Sequence, residues 1–348
     1  MKYYYSPLFA ILLAPIKDLP QGVGNFIWLS LNLMLFIRLL KLVDDFLNIK
    51  SQTDSKKTLF FLLLILSSSR FIFDCLSQGQ MTFILVWGTI ESVALIHKRQ
   101  HVLGSLLLAL VINFKILPIA ILAYLAYKRE TKASLLTIIF SFVFLLAPAL
   151  VIGFDFNLQL LQDWYKSITS TNNNSLMEDY GRQSLSSFLP ALLMETPQQF
   201  GIKRNLFSLS LQDVDLILNS ARVLLLIACA LMFGKPFKPA NNKLTTFYEI
   251  SFICALTPIF FPHQGKYSFL YLLPANAYCL YILLNRDAFH KINSQTLKLQ
   301  LSIGFLIASF ILGILTTDGI VGRKIADLCE YLCCITLSTF ALLIATLL

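Results

Sequence analysis

Lys115 stands near the middle of the apolar stretch 102–127, in the string Asn113-Phe114-Lys115-Ile116-Leu117-Pro118. An ionisable group at membrane depth costs at least about 3 kcal/mol, so it normally faces a polar cavity and is kept for a task. Other groups able to bind ions or move protons fall between apolar runs: Asp74, Gln78 and Gln80; Asp163; Arg182 and Gln183; His263, Gln264 and Lys266. Cations and amides hold anions, and carboxylates accept protons. No metal or other cofactor is expected, because His263 lacks a second His or a carboxylate at ligand spacing. Plainer roles are open too. Lys115 can snorkel, Asp74 can pair with Arg70 at a helix end, and Trp164, Tyr165 and Tyr180 suit an interfacial belt.

Membrane helices must position these groups. The chain has 348 residues, of which 57% are hydrophobic and 14% charged, with a mean hydropathy of +0.71. Its apolar runs repeat at bilayer length, roughly 20 residues for a spanning helix. The fold expected is all-α, a polytopic transmembrane bundle forming one integral-membrane domain over 1–348. Nine spans are predicted: 22–42, 58–73, 81–96, 133–153, 213–233, 247–261, 267–284, 299–317 and 325–347. The run 102–127 has basic residues on both flanks. It is either two half-helices bent near Lys115 and Pro118, entering and leaving on one side, or a long tilted helix with Lys115 facing a cavity.

The net charge of +9 does not point to nucleic acid. Lys50, Lys56, Lys57, Lys98, Arg99, Lys128, Arg129, Lys132, Lys235, Lys238, Lys243, Arg286, Lys291 and Lys298 cluster in short connections, as on the cytoplasmic side of a membrane protein. That orientation puts 1–20, 74–80, the long loop 155–212, 262–266 and 318–324 on the outer face, and the C-terminus inside. The polar candidates then share one side of the membrane.

Cysteine adds little, since Cys229, Cys254, Cys279, Cys329, Cys333 and Cys334 fall in apolar runs and Cys75 has no partner in an outer loop, so no disulfide framework is expected. Asn173-Asn174-Ser175 fits a glycosylation acceptor. The first predicted span enters from outside with no helix before it, and Tyr3-Tyr4-Tyr5-Ser6-Pro7 is not a cleavable signal. The expectation is a start downstream of an ancestral first helix.

Several segments now carry a resemblance. Tyr5-Ser6-Pro7-Leu8-Phe9-Ala10, Ala14-Pro15-Ile16, Leu19-Pro20, Gly79-Gln80, Lys115-Ile116-Leu117-Pro118 and Arg182-Gln183-Ser184-Leu185 follow one another as in glycosyltransferase family 87. These are the polyprenol-phosphate-mannose-dependent α-mannosyltransferase-like membrane proteins, and the chain resembles them from Tyr3 to about Pro274. The resemblance implies a GT-C fold in the plasma membrane and an active site at the outer face. It implies hexosyl or mannosyl transfer from a polyprenyl-phosphate sugar to a hydroxyl of a glycan or glycolipid acceptor. Lys115 and Arg182 would hold the donor phosphate, with Tyr5, Gln78, Gln80, Gln183, His263 and Lys266 on the substrates.

The chemistry suits these residue types. A lipid phosphate needs cations or amides beside an apolar groove, and displacement at the anomeric carbon needs a carboxylate to take the hydroxyl proton. The sequence departs from the family there. The presumed catalytic aspartate precedes the Tyr-x-Tyr-x-Pro segment, where this chain offers no counterpart. Asp74 and Asp163 are substitute candidates; otherwise the start is displaced, or the protein binds lipid-linked sugar without turning it over. Two rival functions remain, a secondary transporter or flippase and a non-catalytic subunit of envelope-polysaccharide assembly. The long loop 155–212 and the scarcity of polar groups inside spans beyond Glu91, Asn113 and Lys115 favour the enzyme.

Overall fold

The computed structural model describes residues 5–169, 181–195, 200–233, 242–285 and 296–348. Asn173-Asn174-Ser175, Tyr3, Tyr4, Tyr180, Lys235, Lys238, Arg286 and Lys291 lie outside them. Among the described residues the chain is helical, and β-type pairing is confined to an isolated antiparallel bridge between Arg182 and Gly265. Lipid offers no partner for backbone N–H and C=O groups, so an apolar chain of this kind satisfies them within helices.

In chain order the helices are α1 (Pro7–Leu13), α2 (Gln21–Leu47), α3 (Asp54–Ser77), α4 (Thr82–His97), α5 (His101–Phe114), α6 (Ile119–Tyr127), α7 (Thr131–Leu146), α8 (Ala149–Ile152) and α9 (Phe154–Thr169). They continue as α10 (Leu185–Leu193), α11 (Leu211–Met232), α12 (Lys243–Phe260), α13 (Leu273–Leu284), α14 (Thr296–Phe310), α15 (Asp318–Val321), α16 (Arg323–Tyr331) and α17 (Cys334–Leu347). Local chemistry sets several ends. Pro7 opens α1, where its missing N–H has no helical partner to lose. Ser210 caps α11 by accepting from the Asp213 amide.

Among the described residues, six helical segments are long and apolar enough to cross a membrane: Gln21–Leu47, Asp54–Ser77, Thr131–Ile152, Leu211–Met232, Lys266–Leu284 and Leu297–Leu315. Helices α16 and α17 add a seventh if taken together, although they meet at 64°. Two of the nine predicted spans read differently. Helix α4 has only 16 residues and is buried along most of its length. Helix α12 carries Lys243 and Glu249 and is buried on every side from Glu249 to Ile259. Hydropathy registers apolar character, and a helix enclosed by protein shows the same character as one facing lipid.

The described residues cluster into two compact units, one drawn from Met1–Leu42, Leu76–Thr171 and Lys235–Lys243, the other from Val43–Cys75, Asn172–Gly234 and Leu244–Leu348. In the first, α5 packs between α4 and α7, and α1 lies against α5, α7 and α9. Close approach there depends on small residues: a Cβ on Gly88 would strike Val111, and one on Gly104 would meet Ile96 and the Ser92 carbonyl. Ser105 donates to the Ala133 carbonyl at 2.9 Å, tying α5 to the start of α7. In the second unit, α17 packs against α13 and α14, and α10 against α11.

Candidate active site

In the first unit the helix is interrupted where Pro118 predicts. Proline lacks an N–H and drives the preceding residue out of the helical region. Helix α5 ends at Phe114, Lys115 is extended with φ −151° and ψ 134°, and α6 resumes at Ile119. The side chain of Asn113 donates to the carbonyls of Ala109 at 2.9 Å and Ser141 at 3.3 Å, bracing the break against α7. Lys115 itself is half-buried.

Aromatic rings connect this break to the start of the chain. The Phe114 ring is 5.2 Å from that of Phe9, which is 5.2 Å from Tyr5 and 6.2 Å from Trp28. The Tyr5 hydroxyl donates to Gln80 Oε1 at 2.9 Å, and Trp28 Nε1 donates to the Gly79 carbonyl at 2.9 Å. Gly79 sits at φ +59°, a conformation glycine adopts without penalty, in the turn between α3 and α4. Tyr5, Gln80 and the Phe114-Lys115 break are therefore neighbours, although they are far apart in sequence. Gln78 is exposed beside them in the turn.

The second unit gathers the other candidates around Glu330. Its Oε1 accepts from Arg70 Nη2 at 2.9 Å and from Lys266 Nζ at 2.8 Å. Arg70 also donates to the Gly313 carbonyl at 3.1 Å and to Thr316 Oγ1 at 2.9 Å. The Arg70 and Glu330 side chains are only 4% and 7% exposed, whereas Lys266 is 31% exposed and offers its ammonium partly outward. Asp74, one turn beyond Arg70 on α3, lies in the field of Lys266, Arg70, Glu330 and Asp318. Asp318 is exposed, and hydrogen bonds from Thr317 Oγ1 and the Gly319 amide, helped by Lys266, hold its carboxyl below the usual carboxylate range.

The Arg182-Gln183 strand is laced to the same cluster. Arg182 bridges to Gly265, and its guanidinium donates to Nδ1 of His263, a residue held at φ +61° in the Phe261-Pro262-His263-Gln264 turn. That left-handed conformation is uncommon for a non-glycine residue. Gln183 is fully buried. Its amide N–H donates to the Gln264 carbonyl at 3.1 Å, its side chain to the Glu330 carbonyl at 3.0 Å, and its own carbonyl accepts from Thr336 Oγ1 at 2.7 Å.

Asp163 is placed differently. It is exposed on α9, 3.9 Å from Lys166 one turn on. Among the described residues no group of three His, Cys, Asp or Glu side chains converges as metal ligands would. The central residue missed by sequence reading is Glu330. It lies inside the predicted span 325–347, where the rule that singles out Lys115 would have flagged an acidic side chain as well.

A family model for glycosyltransferase family 87 matches residues 3–262. The chain belongs to glycosyltransferase family 87. This family 87 glycosyltransferase is a multi-pass helical membrane protein. The matched region includes Tyr5, Asp74, Gln78, Gln80, Lys115, Asp163, Arg182 and Gln183, while His263, Lys266 and Glu330 lie just or well beyond it. No curated protein and no solved structure gave a match.

Proposed function

We propose that this glycosyltransferase moves a hexose, mannose by family pattern, from a polyprenyl-phosphate sugar to a hydroxyl of a glycan or glycolipid acceptor. The reaction takes place at the outer face of the plasma membrane, with the C-terminus in the cytoplasm. The observation that carries this reading is the Glu330-centred cluster. Arg70, Lys266 and Arg182 meet Glu330, Asp74 and Asp318 there, and Lys266 keeps its ammonium partly exposed, where an entering anion can pair with it.

In this reading Arg182 holds the donor phosphate, and Lys266 and His263 stand beside it. Within the first unit, Lys115 and the hydrogen-bonded pair Tyr5 and Gln80 are the groups offered to substrate. Asp74 takes the proton as the acceptor oxygen bonds to the anomeric carbon. The bond from that carbon to the phosphate oxygen breaks in the same displacement, and the electron pair leaves with the phosphate. Asp74 suits this role better than Asp163, whose exposed carboxylate lies beside Lys166. Gln183 braces the strand that carries Arg182.

Donor binding tests the reading directly. Full-length protein in lipid nanodiscs should bind polyprenyl-phosphate mannose, and Arg182→Gln should weaken that binding by about tenfold or more, the loss expected for a charged hydrogen bond. Absence of binding by the unaltered protein, combined with substrate-driven flux in proteoliposomes, would favour transport instead.

A further inference from the structure

Arg222 stands near the middle of α11, a helix apolar and long enough to span the membrane. Its guanidinium donates 2.7 Å to Ser186 Oγ and reaches Asn219 Oδ1 at 3.3 Å, both neutral acceptors. Its Nε is buried, with no hydrogen-bond partner among the described residues. The carboxylate whose field reaches it is Asp215, two turns toward the helix start, and among the described residues no carboxylate lies within ion-pair distance. A cation at this depth is usually matched by a counter-charge.

Ser186 belongs to the first turn of α10. The first amides of a helix have no carbonyl to bond within it, here those of Leu185 and Ser186, since the Ser187 amide donates to the Ser184 carbonyl at 3.0 Å, and the dipole makes that end positive. Ser184 is the N-cap, yet its hydroxyl makes no capping bond. Ser184 and Ser187 are 0% and 4% exposed, and among the described residues both hydroxyls lack partners. Buried hydroxyls are ordinarily bonded. N-cap and third helical residue share a face, so these two donors stand together at the end of α10 that Arg222 touches. An oxyanion with several oxygens fits this donor set, and phosphate is the common case at a helix start.

The exposed neighbours of Arg222 say how such an anion arrives. Leu226, one turn on from Arg222, and Val223 beside it are 53% and 54% exposed on the same spanning helix. They offer an apolar face to a hydrocarbon chain, not a route for a free hydrated ion.

We propose that Arg222, Ser184, Ser187 and the start of α10 form a second phosphate site, one that takes the headgroup of a phosphate-bearing bilayer lipid. It rests on Arg222 and the two serines and does not depend on the donor role given to Arg182. The probe is farnesyl phosphate bound to full-length protein in nanodiscs, counted by native mass spectrometry and titrated against inorganic phosphate. Arg222→Gln should hold one equivalent fewer than the unaltered protein, whether or not the donor site also takes the probe. Ser184→Ala/Ser187→Ala should weaken the equivalent that Arg222→Gln removes by about tenfold with no fall in unfolding temperature, because those hydroxyls bond nothing among the described residues. A purely structural role for the serines predicts unchanged lipid affinity. Equal stoichiometry in the unaltered protein and in Arg222→Gln would overturn the proposal. Displacement by inorganic phosphate as readily as by farnesyl phosphate would overturn its lipid assignment. If Arg182→Gln removed an equivalent and Arg222→Gln did not, the donor reading would stand and this site would fall.

Discussion

The Lys266 ammonium lies 2.8 Å from Oε1 of Glu330, the same oxygen that accepts from Arg70 at 2.9 Å. One carboxylate oxygen thus serves a buried cation on one side and a partly exposed one on the other. The main-chain carbonyl of Glu330 also receives Gln183, so this residue ties α3, α16 and the Arg182-Gln183 strand to the Gly265-Lys266 turn.

Removing that charge should be costly because Arg70 would remain buried without its counter-ion. Glu330→Gln is expected to destabilise by about 3–5 kcal/mol, whereas Arg70→Leu/Glu330→Leu should recover much of the loss, since an apolar pair needs no desolvation. Lys266 is exposed enough to turn to water in the double variant. Unfolding curves in detergent check both. A double variant no more stable than Glu330→Gln would contradict the account.

The α4–α5 contact makes a steric prediction. Gly88→Ala should destabilise by about 1–3 kcal/mol through overpacking against Val111, and Val111→Ala should relieve part of it. At Gly104 the obstacle includes the Ser92 backbone carbonyl, which cannot be trimmed. Gly104→Ala with Ile96→Ala is therefore expected to stay destabilised. Double-mutant cycles on thermal unfolding distinguish the two sites.

Arg38 and Glu91 form a fork across α2 and α4, with Nε and Nη2 donating to separate carboxylate oxygens at 2.7 Å, while Trp87 adds a bond at 3.2 Å. Lysine keeps the charge but cannot reproduce the fork. Arg38→Lys should lose about 1–2 kcal/mol, the worth of one charged hydrogen bond. A stability equal to the unaltered protein would show that the second contact contributes nothing.

Much of the class was legible in the sequence, and much of the site was not. Runs of bilayer length announce the helices, and Asn113 to Pro118 announces the break at Lys115, because a proline acts locally. Counting spans is harder. Helices α4 and α12 are apolar because protein encloses them, which hydropathy cannot separate from lipid. The bend between α16 and α17 turns at Cys333, with φ +57°, and no glycine or proline marks it. Lys115, Arg182 and Lys266 stand out as cations, yet the oxygen that organises Arg70 and Lys266 lies 260 and 64 residues away along the chain. Such pairing follows from tertiary packing and leaves no periodic trace.

The role given to Asp74 also separates it from Asp163. Asp163→Asn should leave transfer near its starting rate, since the carboxylate is exposed and its Lys166 pairing is a surface contact worth little. Initial rates with saturating donor are the check, and a loss of about tenfold or more would shift the base assignment to α9.

The most direct measurement is sugar transfer from radiolabelled polyprenyl-phosphate mannose by full-length protein in nanodiscs, comparing the unaltered enzyme with Asp74→Asn. The account predicts transfer by the first, and in the second a kcat lower by about 100-fold or more with donor affinity preserved, as for a lost general base. Undiminished turnover in Asp74→Asn would contradict it.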